Sequence, residues 1–169
     1  MITSTIKTER LILRSMTQED AELAFSIWGD IEQGKYLHDP YYKSADELRG
    51  LLNNIHKWSD YPFVVFSEEG KFVGTGSIGP EDTNELWGFG YCVVKEEQGK
   101  GYATEIAKAM INFAHQLGIH DFIAEHAIEN SASGRVMEKC GMHLERVSNF
   151  KKAGTDFVYP SNIYNLHLD

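Results

Sequence analysis

Residues 86–104 read LWGFGYCVVKEEQGKGYAT, and their interpretation decides the fold. The first part, Leu86–Val94, reads as a strand whose two glycines, Gly88 and Gly90, predict a bulge or a close backbone approach. The last part, Gln98-Gly99-Lys100-Gly101-Tyr102-Ala103-Thr104, is a short glycine-rich turn. Beyond it Ala103, Ile106, Ala107, Met110, Phe113, Ala114 and Leu117 recur at helical spacing until Gly118 stops them. A strand, a glycine turn and a helix start make a natural anion site. The first N–H groups of a helix lack an intrahelical partner, the dipole is positive at that end, and glycine lets a phosphate approach the main chain.

Three phosphate-binding patterns compete for this turn. A P-loop needs Gly-Lys-Ser/Thr after a spaced glycine, which is absent. A dinucleotide fingerprint needs Gly-x-Gly-x-x-Gly, but Thr104 stands where the third glycine belongs. Asp121 follows, yet at the predicted start of a strand, where it cannot reach a ribose at the strand's carboxyl end. The third pattern, Gln/Arg-x-x-Gly-x-Gly/Ala, is matched at every fixed position by Gln98, Gly101 and Ala103.

Upstream, Arg10–Met16 reads as a first strand, and Thr17 with Asp20 opens a helix through Leu23, Phe25, Ile27 and Trp28. A short second helix is expected over Ile31–Leu37, and Ser44 with Glu47 caps another that buries Leu48, Leu51, Leu52, Ile55 and Trp58. Phe63–Phe66 and Phe72–Ile78 are strands joined by the turn Glu68-Glu69-Gly70-Lys71. Downstream, Phe122–His126 is a short strand, and Ala132, Val136, Met137 and Cys140 form a helix closed by Gly141. Met142–Phe150 and Phe157–Leu168 are the last two strands, with a turn at Ala153-Gly154. A largely antiparallel meander entering a βαβ crossover predicts a mixed α/β (α+β) domain with a seven-stranded sheet, one domain over residues 1–169.

The chain has 169 residues, 42% hydrophobic and 24% charged, which fits one globular domain. No stretch is long and apolar enough to span a membrane and no signal peptide is visible, so no membrane association is expected. Cys92 and Cys140 lie far apart without metal spacing, which fits reduced thiols in a cytoplasmic protein. His115, His120 and His126 lack helical i, i+4 spacing, so no metal site is expected. The net charge of −9 argues against a nucleic-acid partner. It is uneven: residues 1–94 hold 8 Lys+Arg and 15 Asp+Glu (8 − 15 = −7), residues 95–169 hold 8 and 10 (8 − 10 = −2).

Three segments together make the chain resemble the GNAT family of acetyl-CoA-dependent N-acetyltransferases, in its RimJ/RimL-like branch. Thr8-Glu9-Arg10-Leu11-Ile12-Leu13-Arg14 looks like that branch's opening strand, and Gly99-Lys100-Gly101-Tyr102-Ala103-Thr104-Glu105 like its pyrophosphate turn. Glu129-Asn130-Ser131-Ala132-Ser133 with Arg135-Val136-Met137-Glu138-Lys139-Cys140-Gly141-Met142 looks like its second cofactor segment. The resemblance implies a sheet splayed between the fourth and fifth strands, with acetyl-CoA as cosubstrate entering the splay.

It also implies three tasks: hold the pyrophosphate, polarise the thioester carbonyl, and move protons off the amine and onto the thiolate. The backbone of Gly99 to Ala103 would wrap the pyrophosphate, with Gln98, Tyr102 and Thr104 around it. Lys100 either adds charge or is a solvated loop lysine. Val93 and Val94 would offer main-chain groups, Val93 N–H to the thioester oxygen, unless both are simply core. Asn130 would contact the pantetheine arm, cap the helix, or both. Where many relatives have an acidic Tyr this chain has Met137, and the resemblance passes the role of acid to Ser133. The base is open between Glu85, His126 and a water chain. Relatives often carry a Glu on the fourth strand, where this chain has Trp87 or Gly88. Asp30, Glu32, Asp39, Asp46 and Glu47, among Trp28, Tyr36, Tyr41, Tyr42 and Trp58, point to a cationic amine acceptor such as a protein N-terminus, polyamine, amino sugar or amino acid. A homodimer is compatible with the antiparallel edge strands. Two other readings are a non-catalytic acyl-CoA-binding module and a nicotinamide-dependent oxidoreductase.

Overall fold

The structure, a computed structural model, describes residues 4–57 and 60–169. Trp58, expected on a buried helix face and among the acceptor-side aromatics, lies outside the described residues. The strands are β1 (Thr5–Lys7), β2 (Leu11–Ser15), β3 (Tyr61–Ser67), β4 (Phe72–Pro80), β5 (Leu86–Val93), β6 (Asp121–Ala127), β7 (His143–Lys151) and β8 (Val158–His167). The α-helices are α1 (Ala21–Trp28), α2 (Ala45–Leu52), α3 (Tyr102–Gln116) and α4 (Ser131–Lys139). One sheet runs in the order β1-β2-β3-β4-β5-β6-β8-β7, antiparallel at every junction except β5–β6. Among the described residues, eight strands stand where seven are expected. The extra one, β1, has three residues and one half-buried side chain, Ile6, and exists by pairing Thr5–Lys7 with Lys7's partner Ile12 through Arg14.

Local chemistry accounts for most boundaries. Thr17 and Asp20 form a capping box ahead of α1, and Ser44 Oγ accepts the Glu47 N–H ahead of α2. Gly118 and Gly141, at φ +88° and +83°, end α3 and α4 in the left-handed conformation that glycine tolerates best. Residues 31–37 form turns instead of the expected helix. Asp30 Oδ1 accepts the N–H groups of Glu32 (2.9 Å) and Gln33 (2.8 Å), an aspartate turn. The buried ammonium of Lys152 then takes the carbonyls of Gly34, Leu37 and Asp39, at 2.5–2.9 Å. Those carbonyls therefore need no helix to satisfy them.

Each face of the sheet is covered. Leu11, Leu13, Phe63, Val65, Phe122 and Met137 pack with Ile106 and Met110 of α3. Met16, Ala24, Val64, Leu48 and Leu52 fill the opposite side under α1 and α2. Burying each such Leu, Val or Phe contributes about 1.5–3 kcal/mol. β5 carries no bulge: it pairs with β4 in unbroken register from Pro80↔Trp87 to Gly74↔Val93. The irregularity of this region lies between Val65 and Phe66 in β3. β5 pairs with β6 at Leu86, Trp87 and Gly88, and then the two strands part. β6 continues to Ala127 on β8 alone.

Candidate active site

The parting of β5 and β6 opens into a cleft of about 1260 Å3 that reaches both faces of the sheet. On the α3/α4 side it is lined by the glycine turn, Tyr91, Asn130 and Ser133, and on the α1/α2 side by Asp39, Asp60, Glu81, Gly88 and Gly90.

The turn has the geometry that anion binding demands. Gly99 and Gly101 lie at φ +77° and +82°. Nothing crowds a side chain at Gly99, so conformation is what requires glycine there. The first N–H of the helix to find a main-chain acceptor is that of Glu105, on Gly101 O at 3.2 Å. Those of Tyr102, Ala103 and Thr104 therefore remain at the open end. Lys100 is not a free charge: its Nζ bonds Glu97 Oε2 at 2.7 Å, and Lys71 pairs with the other oxygen of that carboxylate. Lys100 first, then Lys71, holds Glu97 below the usual carboxylate range. Gln98 Nε2 donates to Val93 O at 3.0 Å and ties the turn to the end of β5.

A second tie anchors the helix start to the N-terminal strands. Glu105 accepts from Thr8 Oγ1 (2.5 Å), Arg10 N–H (2.9 Å) and Arg10 Nε (2.8 Å). The Arg10 guanidinium also donates to Lys100 O at 2.9 Å and lies over the Tyr102 ring, 4.7 Å from its centroid. Two of the segments singled out in the sequence, around Thr8–Arg10 and around Gly99–Glu105, are thus one physical unit.

Along β5, Val94 N–H is taken up by Val73 O on β4. Alternation along an antiparallel ladder turns Val93 N–H to the opposite edge, the one β6 has left. Val93 and Val94 side chains are at the same time buried. Ser133 Oγ lies 2.8 Å from Tyr91 Oη, a partner that sequence reasoning missed. Burial pushes the Tyr91 hydroxyl up to about 12, against the bond to Ser133, so it is protonated at neutral pH. Asn130 stands at the N-cap of α4 but its side chain makes no capping bond. Met137 is buried in the core.

The opposite face is built on a cross-strand glycine pair, Gly79↔Gly88. A side chain at Gly79 would collide with the Asp60 carboxylate, and one at Gly88 with the Glu81 carboxylate. Burial and Asp39 raise Asp60 above the ordinary carboxylate range, and burial, Asp60 and Asp82 raise Glu81. This is the close approach that the glycines of residues 86–94 predict. Of the two expected bases, His126 lines the cleft and Glu85 does not. Glu85 is exposed in the turn before β5 and does not line the cleft. His126 faces α4: Nδ1 lies 2.7 Å from Ala127 O, and Nε2 is buried against Gly134.

His115 and His120 stack edge to face 5.2 Å apart, away from the cleft, and the described residues hold no cluster of three or more metal-capable side chains. No helix among them is long and apolar enough to cross a membrane.

Known proteins carry the same plan. The family model described as "Acetyltransferase (GNAT) domain" matches residues 10–143. The chain belongs to the GNAT acetyltransferase family. As a GNAT enzyme it is similar, at 35% identity over 86% of its length and 68% of the relative's, to FsC-acetyl coenzyme A-N(2)-transacetylase of Aspergillus fumigatus. A GNAT acetyltransferase of Bacillus anthracis has the same fold, with TM-score 0.84 and 25% identity over 97% of this chain and 98% of that one. So does spermidine N-acetyltransferase of Vibrio cholerae, solved with CoA and spermine, with TM-score 0.82 and 22% identity over 95% and 96% of the two chains.

Proposed function

We propose that this GNAT enzyme transfers an acetyl group from acetyl-CoA to a primary amine of a cationic acceptor by direct attack on the thioester. The observation that carries the reading is the two-faced cleft: hydroxyls on one side of β5, carboxylates on the other. The backbone of Gly99 to Ala103, with Gln98, Tyr102 and Thr104, holds the pyrophosphate, and Asn130 takes the pantetheine arm. Val93 N–H, at the open edge of β5, meets the developing oxyanion. The amine lone pair attacks the carbonyl carbon, the C–N bond forms and the C–S bond breaks. Ser133 protonates the leaving thiolate and recovers a proton through Tyr91 Oη, 2.8 Å away, which takes one from solvent in turn and ends the cycle protonated. The amine's surplus proton leaves on the opposite face.

Asp39, Asp60, Glu81 and Glu125 on that face support a cationic acceptor, a class that includes polyamines, protein N-termini, amino sugars and amino acids. The Thr8–Arg10 tie to Glu105 supports the RimJ/RimL-like branch. We take residues 1–169 as a single catalytic unit, which the continuous sheet supports. Unpaired Cys92 and Cys140 support a reducing, cytoplasmic setting. The exposed apolar residues Leu144, Val147, Phe157 and Val158 of the last hairpin support a homodimer, which sedimentation velocity tests.

A panel of amines assayed by free-CoA release tests the function. Polyamines and peptides with free N-termini are expected to turn over, and activity confined to neutral or acidic amines overturns the cationic reading.

A further inference from the structure

We propose that Glu81, reaching from the β4–β5 loop onto the bare backbone of Gly88, is the group that takes the proton from the acceptor amine. The inference rests on the acetyltransferase reading of the cleft and assigns the base that this reading leaves open.

Three observations place Glu81 there. An ideal Cβ on Gly88 would fall on Glu81 Oε1 and lie 2.8 Å from its Cδ, so the carboxylate occupies the volume that a side chain at 88 would fill. Gly88 is also the last residue of β5 to pair with β6, so the carboxylate sits at the point where the strands part. Beyond it on the same face, Gly90 carries no side chain and has open space above it, leaving room for an acceptor. The loop is held in place: Glu81 N–H donates to Leu86 O at 2.9 Å.

The surroundings suit a proton acceptor. Glu81 faces Asp60 and Asp82 from its own side, His38 from the loop after α1, and Glu125 from β6. Burial, Asp60 and Asp82 raise its pKa, which makes the carboxylate a stronger base, and His38 opposes them. The transfer balances within the proposed reaction. The acceptor arrives as an ammonium and gives one N–H proton to a Glu81 oxygen, directly or through one water. The freed lone pair forms the C–N bond, and the carboxylic acid returns the proton to solvent. Glu81 and Ser133 then stand on opposite sides of β5, so the incoming amine and the departing thiolate use separate proton groups.

The test uses the full chain, the best amine of the panel, and acetyl-CoA. Glu81→Ala is expected to lower kcat by about 10²-fold, within the range for a lost general base, with little change in KM for acetyl-CoA. The wild-type rate should rise with pH through the titration of the raised carboxylate and then level off. The variant's rate should keep climbing towards the pKa of the free amine, about 10.4 for a lysine-like amine. Formate should restore part of the lost rate. Gly88→Ala, which changes no charge, should mimic the loss by displacing the carboxylate. An unchanged kcat and pH profile in Glu81→Ala overturns the assignment while leaving the acetyltransferase reading intact. A loss of rate with neither the altered pH profile nor formate rescue assigns Glu81 a structural role and also overturns it. A wild-type chain that acetylates no amine overturns both readings.

Discussion

The Ser133 hydroxyl gains its meaning from a side chain on another element. Alone it is a polar residue near the start of α4; beside Tyr91, with 2.8 Å between the oxygens, it is placed to end a short proton chain in the proposed reaction. Ser133→Ala should lower kcat by about 10²-fold, the lower range for a lost general acid. Tyr91→Phe should lower it less, since Ser133 survives, and should cost the fold about 0.5–1.5 kcal/mol, the worth of one lost hydrogen bond, because the Ser133 hydroxyl left behind lines the open cleft. Stopped-assay kinetics and urea unfolding of the two variants separate these effects. Equal losses would make Tyr91 the terminal donor. Glu81 offers the complementary test. Its raised pKa means that the folded chain disfavours its charge, so folding stability falls as pH rises through its titration. Glu81→Gln should therefore lose activity and keep or raise the Tm measured by calorimetry at neutral pH, as groups strained for function do.

Among the elements, the unit formed by β5, the glycine turn and α3 was the most legible, because strand, turn and helix signals follow one another locally. The chain order, the splay and the glycine turn at the start of α3 were readable from it with the resemblance. Three features were not. Residues 31–37 have helical apolar spacing, yet Asp30 and the distant Lys152 satisfy their polar groups in turns. The three residues of β1 carry no periodic signal and are held by pairing. Glu81 was hidden because its seat is a missing side chain, and a glycine does not name what covers it. The tie between Thr8, Arg10 and Glu105 was visible as two motifs but not as one contact. Glu105→Ala should release the N-terminus of α3 from the connection between β1 and β2 and raise KM for acetyl-CoA several-fold more than it lowers kcat. Titration calorimetry with CoA checks this as a weaker Kd.

For the whole molecule, the net charge of −9 first reads as hostile to a polyanionic cosubstrate. The structure resolves the conflict by location. Pyrophosphate would meet neutral N–H groups at the start of α3, where Lys100 and Lys71 are already paired with Glu97. The uncompensated acid lines the other mouth, at Asp39, Asp60 and Glu81. Raising ionic strength from about 0.01 M to 0.15 M shortens the screening length from about 30 Å to 8 Å. KM for a polycationic acceptor should therefore climb with salt, and KM for acetyl-CoA should respond less. Salt titration of both constants measures the contrast.

The gap between β5 and β6 also sets a rule of traffic. A wall pierced from side to side has two doors, and a guest standing in one leaves the other free. Donor and acceptor can then arrive in either order, and neither product need wait for the other to leave. Initial-rate lines for the two substrates should intersect and product-inhibition patterns should show either substrate binding first; a compulsory order would mean that one doorway serves both, and parallel lines would mean an acetyl-enzyme and overturn direct attack.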